Sequence, residues 1–257
     1  MSLAPADDRI IQVEHPVSLD PTGQLLASIM AKKKSVGATH VLIDIPVGRG
    51  AKITDMTHAL RLKRKFEELG RRLRMKVAVI ITDGSQPVGN GIGPSLEARD
   101  VLWTLKNSAK GSTLLKNKGI RMAGILLELT GKAKKGKGYE IAREIVETGK
   151  AYQKFIEIIK EQGGKIKKPE EIRLAKKSWT ALTAKSGKVT HIDNEFVNKI
   201  ARIAGATHDQ EAGVYLYHHK GDHVIKGDPL FTLYSDSEER LAYAKEIVLK
   251  KMGVEVK

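Results

Sequence analysis

Hydrophobic positions recur with two different periods along this chain. Over residues 25–34 (LLASIMAKKK), Leu25, Leu26, Ile29 and Met30 fall at helical spacing, and Gly37 follows where a helix end favours glycine. Residues 39–45 form a β-branched run bounded by Pro46 and Gly48, the pattern of a strand buried on both faces. An amphipathic stretch over 54–73, opened by Thr54 and Asp55, predicts a second helix, and residues 76–82 (KVAVIIT) predict a second buried strand. After a glycine-rich turn, residues 95–106 return to helical spacing, and further helices are expected over 121–130, 139–149 and 151–162. Strand–helix–strand–helix order argues for a parallel sheet in an α/β domain.

Near Lys168 and Pro169 the character changes, and short alternating segments follow. Strands are expected over 187–192, over 213–217, and, after a turn, within 224–234. A helix over 195–204 interrupts them and an amphipathic helix over 238–252 closes the chain. The pattern predicts an α/β protein with two parts: a parallel-sheet α/β domain over residues 1–172, and a smaller α+β domain with a curled sheet over 173–257.

Composition narrows the function classes. The 257 residues contain no cysteine, which removes disulfides, thiolate metal sites and a thiol nucleophile. No apolar run reaches the roughly 18 residues of a membrane span, and the first residues lack the basic start and apolar core of a signal peptide, so a cytoplasmic protein with no membrane partner is expected. The formal charge is +15. Residues 101–190 hold 18 Lys and 3 Arg against 8 Glu and no Asp, a net of +13. The densest run, Gly131-Lys132-Ala133-Lys134-Lys135-Gly136-Lys137-Gly138, has no aromatic to stack on a base. Grooves for single-stranded nucleic acid interleave aromatics with charge, and only 5% of this chain is aromatic. The favoured reading is a solvated lysine surface, with a polyanion-binding module as the alternative.

Two glycine-rich turns follow the predicted parallel strands. Gly89-Asn90-Gly91-Ile92-Gly93 stands between a strand and a helix, where backbone N–H groups are able to cradle a phosphate. Pro94 occupies the third glycine position of a dinucleotide fingerprint, and no Gly-Lys-Ser/Thr ending follows. A phosphate cradle and a turn that merely needs positive φ weigh equally here. Gly48-Arg49-Gly50 is a shorter case, and loops leaving the carboxyl ends of parallel strands converge on one crevice. Ser28 and Lys32, four residues apart, share a helix face. His218, His219 and His223 flank a Lys-Gly-Asp turn without metal-ligand spacing, so no metal site is assigned.

Several long motifs in order carry a resemblance: LAPADDR (residues 3–9), LLASIMAKK (25–33), VLIDIPVGRGAKI (41–53), ITDGSQPVGNGIGPSLEARD (81–100), SGKVTHID (186–193) and the tail from AGVYLY to KGDHVIKGDPLFTLY (212–234). Over essentially the whole chain they resemble the thymidine phosphorylase family, nucleoside phosphorylase class II, and in detail its archaeal, AMP-cleaving branch. Pyrimidine-specific members carry an Arg-Asp and a Thr-Ala-Thr before the Ser-Lys helix. Here that stretch is Val13-Glu14-His15-Pro16, so Glu14 or His15 stands near the place of the base-gripping Arg. Such members also carry Val-Lys-x-Gly-x-Gly-Ala-Phe after the first strand, against Ile45-Pro46-Val47-Gly48-Arg49-Gly50-Ala51-Lys52 here.

The resemblance implies phosphorolysis of a nucleoside monophosphate, AMP with CMP and UMP as further substrates, giving free base and ribose 1,5-bisphosphate. Inorganic phosphate is the co-substrate, and neither a metal nor an organic cofactor is implied. Ser28 and Lys32 match the family's base-binding pair, Arg9 matches an Arg of the LAPAD motif, and Glu14 and His15 complete the expected substrate-binding set, with no catalytic residue assigned. The C-terminal part resembles the family's barrel-sandwich domain, which implies assembly into a homo-oligomer. The resemblance begins in mid-family: a helical domain and a Lys-x-Ser, glycine-rich phosphate loop precede LAPADD in full-length members and are not found here. Met1-Ser2 reads as a start joined to a fragment, and the chain alone is expected to be inactive. A pyrimidine nucleoside phosphorylase and a non-enzymatic nucleic-acid-binding or assembly module are the competing readings.

Overall fold

The structure is a computed structural model that describes residues 5–14 and 22–257. Helix α1 (Pro5–Glu14) precedes α2 (Thr22–Ser35), which extends the expected helix at both ends. Strand β1 (His40–Val47) follows, its Val41, Ile43 and Ile45 buried in alternation. Helix α3 (Met56–Arg72) starts one residue after Asp55, whose carboxylate accepts the His58 N–H at 2.7 Å and so satisfies a free N-terminal donor. Strand β2 (Lys76–Asp83) pairs parallel to β1 in register from His40 with Lys76 to Val47 with Asp83. Leu26 and Met30 of α2, and Ala59, Leu62 and Phe66 of α3, close over Val41, Ile43, Ile45 and Val79 to form one apolar core.

Short strand β3 (Gly91–Ile92) and helix α4 (Pro94–Leu105) come next, followed by α5 (Thr113–Leu129), α6 (Gly138–Glu147) and α7 (Lys150–Glu161). The helix expected over 121–130 is the second half of α5, which Ser112 caps by accepting the Leu115 N–H. After a single 3-10 turn (Pro169–Glu171) the chain turns to antiparallel structure. Its elements are β4 (Lys177–Leu182), β5 (Gly187–Ile192), α8 (Asn194–Ala204), β6 (Gly213–Leu216), β7 (His223–Val224), β8 (Pro229–Ser235), α9 (Glu238–Lys250) and β9 (Val254–Val256).

The fold class is the expected one, α/β with a parallel pair followed by antiparallel sheets. One antiparallel sheet has the order β3-β6-β8-β4 and the other β7-β5-β9. Val197 and Ile200 of α8, and Ala244 and Val248 of α9, pack with Val214, Leu216, Phe231 and Leu233 into a second core. Strand β3 joins this sheet from the glycine-rich turn: Gly91 pairs with Tyr215 and Ile92 with Val214. The approach requires glycine, because a Cβ on Gly213 would lie 2.2 Å from the Ile92 carbonyl oxygen and one on Gly91 would lie 2.5 Å from the Leu96 backbone. Helix α1 and strands β3, β4 and β9 were not among the expected elements. Among the described residues, no helix is long and apolar enough to cross a membrane.

Candidate functional site

A cavity of about 430 Å³ opens at the carboxyl ends of β1 and β2, the usual ligand position in an open α/β sheet. Leu25 and Ile29 of α2 form one wall, Gly50, Ala51 and Lys52 another, and Gln86, Pro87 and Val88 a third. Both strand-end loops therefore reach one crevice. Helix α8 adds Asn194, Val197 and Asn198, and the Asn194 side-chain amide donates to the Gly84 carbonyl at 2.9 Å, tying α8 to the loop after β2. The floor, which includes Ile43, Ile45 and Phe66, is apolar.

Ser28 and Lys32 lie on the helix face that carries Leu25 and Ile29. Both are tied to Asp7 of α1, a residue 8% exposed. The Ser28 hydroxyl donates to Asp7 Oδ2 at 2.8 Å, Lys32 Nζ lies 2.9 Å from the same oxygen, and Gln24 donates to Oδ1 at 3.1 Å. Asp8 stands 3.7 Å from Lys32. The Lys32 hydrogen bond, then that of Ser28, holds the Asp7 carboxyl below the ordinary aspartate value, and Asp7 raises Lys32 in return. Both groups are thus ionised at neutral pH. Arg9 is exposed on α1. Glu14 ends that helix, but its side chain, like the whole of His15, lies outside the described residues.

A second polar group edges the cleft. Lys118 reaches from α5 to Asp44 Oδ2 at 2.5 Å, and the Thr82 hydroxyl donates to Asp44 Oδ1 at 2.7 Å while accepting from Lys118 at 3.1 Å. Beside it, burial pushes Asp83 up, but the Ser85 N–H and hydroxyl, with Lys220 and Lys118 nearby, leave its pKa lowered. Asp7, Asp44, Thr82 and Lys118 were not among the expected site residues. Asp7 was legible in principle, as an acid inside a quoted motif, whereas Lys118 meets Asp44 only through the tertiary fold.

Of the two readings of Gly89–Gly93, the bonds its amides already make favour the plain turn. Asn90 and Gly91 donate to Asp100 Oδ2 at 2.5 and 3.4 Å, and Gly93 donates to Glu97 Oε1 at 3.0 Å. Carboxylates occupy the donors a phosphate would need. The lysine-rich turn is also internally bonded, with the Gly136 and Gly138 N–H groups donating to Glu128 Oε1 and Lys137 paired with Glu140.

Residues 188–255 match the family described as pyrimidine nucleoside phosphorylase C-terminal domain. The chain is 52% identical over 252 residues to AMP phosphorylase of Pyrococcus furiosus, which covers 98% of this chain and 50% of that protein. It is 46% identical over 256 residues to AMP phosphorylase of Methanococcus maripaludis, with 100% and 51% coverage. It is 49% identical over 247 residues to AMP phosphorylase 1 of Archaeoglobus fulgidus, with 96% and 48% coverage. The chain is thus related along nearly its whole length to archaeal AMP phosphorylases, and it spans about half the length of these curated relatives.

Proposed function

We propose that this chain forms part of a phosphorylase that cleaves the N-glycosidic bond of nucleoside 5′-monophosphates, AMP first and CMP and UMP after it. Inorganic phosphate attacks the anomeric carbon as the carbon–nitrogen bond breaks, the proton of the hydrogen phosphate ends on the departing base nitrogen, and free base and ribose 1,5-bisphosphate result. The observation that carries this reading is the 52% identity, over 98% of the chain, to a protein named AMP phosphorylase. The geometry supports it. As the bond loosens, the sugar gains oxocarbenium character and the departing base gains negative charge, and catalysis asks for fixed donors aimed at that charge. Lys32 supplies an ammonium on the helix that carries the cleft residues Leu25 and Ile29, while Ser28, whose one hydroxyl proton goes to Asp7, has only its oxygen to offer; neither side chain lines the cleft itself. Asp7, held ionised by Lys32 and Ser28, is suited to orienting the Lys32 ammonium rather than to giving up a proton. No organic cofactor or metal is called for, and assembly as a homo-oligomer belongs to the same proposal.

A pyrimidine nucleoside phosphorylase is the second reading, favoured by the name of the family matched over residues 188–255. That segment contains neither Ser28 nor Lys32. We further propose that the chain alone does not turn over, since half of the relatives' length lies outside it. The test is phosphate-dependent base release from AMP, CMP, UMP and thymidine, by this chain alone and with a polypeptide corresponding to the relatives' remaining half. Release from AMP with both halves present is expected. Release from thymidine but not AMP overturns the nucleotide reading, and release from AMP by the chain alone overturns its inactivity.

A further inference from the structure

Asn90 stands where three segments meet. Its N–H donates to Asp100 on α4, and its carbonyl accepts the Leu216 N–H of β6 at 2.7 Å. Its side-chain Nδ2 lies 3.4 Å from the Lys110 carbonyl and 3.5 Å from the Tyr215 hydroxyl. A carbonyl only accepts, so that side of the amide is the NH2 group and Oδ1 faces the other way. There it meets Nε2 of His219, from the turn between β6 and β7, at 2.8 Å. Since Asn90 Oδ1 only accepts, Nε2 carries the ring proton. The other ring nitrogen, Nδ1, is buried with no partner among the described residues. The next residue, Lys220, donates its N–H to Gln86 Oε1 at 2.7 Å. Gln86, Pro87, Val88 and Ile92 line the cleft, so these bonds hold one cleft wall from the antiparallel sheet.

We propose that His219, acting through Asn90, is a positioning residue that fixes the 86–92 wall of the cleft only while its ring is uncharged, so that acidification loosens the wall. A second proton would place an N–H on Nδ1, a buried atom with no partner among the described residues; the Pro87 carbonyl is the one backbone acceptor that favours the charged ring, and the arrangement is expensive unless the turn moves. The surrounding groups are Asp222 and His218 on the same turn, Asp100 from α4, the Pro87 carbonyl from the loop, and, beside Asn90, Tyr215 and Lys110. Burial pushes the His219 ring below the ordinary imidazole value, with His218 adding to it, against the pull of Asp222, Asp100 and the Pro87 carbonyl. Burial likewise raises Asp100 despite the N–H groups it accepts, which weakens it as a counter-charge. For a group lowered in the folded state the contribution is complete above the ordinary value, about 6.5 for imidazole, and is lost as pH falls through the folded value.

The effect on turnover depends on the nucleotide reading of the cleft, whereas amide exchange reports on the wall directly. Exchange of amides 86–92, corrected for intrinsic rate, is followed from about pH 7.5 to about pH 5 in the unmodified chain, in His219→Gln, which keeps an N–H donor that does not titrate, and in His218→Gln. The expected result is a loss of protection of about tenfold or more in the unmodified chain and in His218→Gln, and a flat profile in His219→Gln. A flat profile in the unmodified chain, or the same loss in His219→Gln, overturns the proposal. Should His219→Gln be unprotected even at the upper pH, the imidazole titration of the unmodified chain decides by NMR. Ring protonation coincident with loss of protection supports the clamp, and protonation without that loss overturns it. Absence of phosphorolysis in the reconstitution assay, with this exchange profile intact, would sink the nucleotide reading and leave the clamp standing.

Discussion

Asp7 turns two separate side chains into a unit. An isolated Ser and Lys one helical turn apart would ordinarily be a solvated polar face, and an exposed ion pair contributes little to stability. Here one buried carboxylate accepts from both, and the same contacts tether α1 to α2. The tether has a defined pH window. The lowered Asp7 value means that its contribution is complete above the ordinary aspartate value and lost as pH falls through the lower, folded one. The raised Lys32 value means that its contribution is complete below the ordinary lysine value and lost only as pH rises beyond that. Rate-corrected amide protection of α1 is therefore expected to stay level from about pH 5 to about pH 9 and to fall only on further acidification. Release of α1 near neutrality would show that Asp7 is not what holds it. Ser28 and Lys32 were readable from the sequence because one helix carries both at a fixed offset. Their counter-ion was not, because helical spacing says nothing about which segment lies across the face.

At the scale of elements, legibility followed the length of the apolar pattern. Strands β1 and β2 are each eight residues long and mostly buried or half-buried, with Pro46 exposed in the first and Lys76 and Asp83 in the second, and α3 buries one stripe, so their periods were clear. Strand β3 is two residues of a glycine-rich turn and β9 is three residues after a helix, too short for any period to register. Their pairing is decided by backbone fit. Gly213 illustrates this, since its missing side chain is what lets β6 lie against Ile92. Gly213→Ala would force a methyl to 2.2 Å from a carbonyl oxygen at a φ of 154°. Overpacking of this kind costs about 1–3 kcal/mol. The expected outcome is a fall of that size in unfolding free energy by urea titration. The same substitution at Gly119, where a Cβ meets nothing within 4 Å, should leave stability unchanged or slightly raised. Equal effects at the two positions would mean that close approach at β3–β6 is not what selects glycine.

For the whole molecule, the charge and the parallel sheet both bear on what surrounds the chain. The lysine excess sits on α5 to α7 and their loops, where Lys137 pairs with Glu140 and Lys154 with Glu157. The sheet is the less self-sufficient feature. Parallel strands are normally found in larger sheets covered on both faces, and two strands without further support are marginal in water; here α2 and α3 supply packing. Among the described residues no strand pairs with the outer edge of β2, and that of β1 meets only a single bridge from Val47 to Ile53. The cleft is lined by four consecutive residues of β1, Ile43 to Pro46, and a neighbouring cavity of about 320 Å³ by four of β2, Ile80 to Asp83. Successive side chains point to opposite faces, so each cavity wraps an edge rather than lying on one face. Unpaired edges are templates for further strands. Addition of the polypeptide corresponding to the relatives' remaining half is therefore expected to raise amide protection in β1 and β2 by about tenfold or more. Protection in β6 and β8, whose strands are already paired, should stay unchanged. Protection that rises equally in all four strands would point to general compaction, and no rise in β1 or β2 would show that their edges are not where the other half binds.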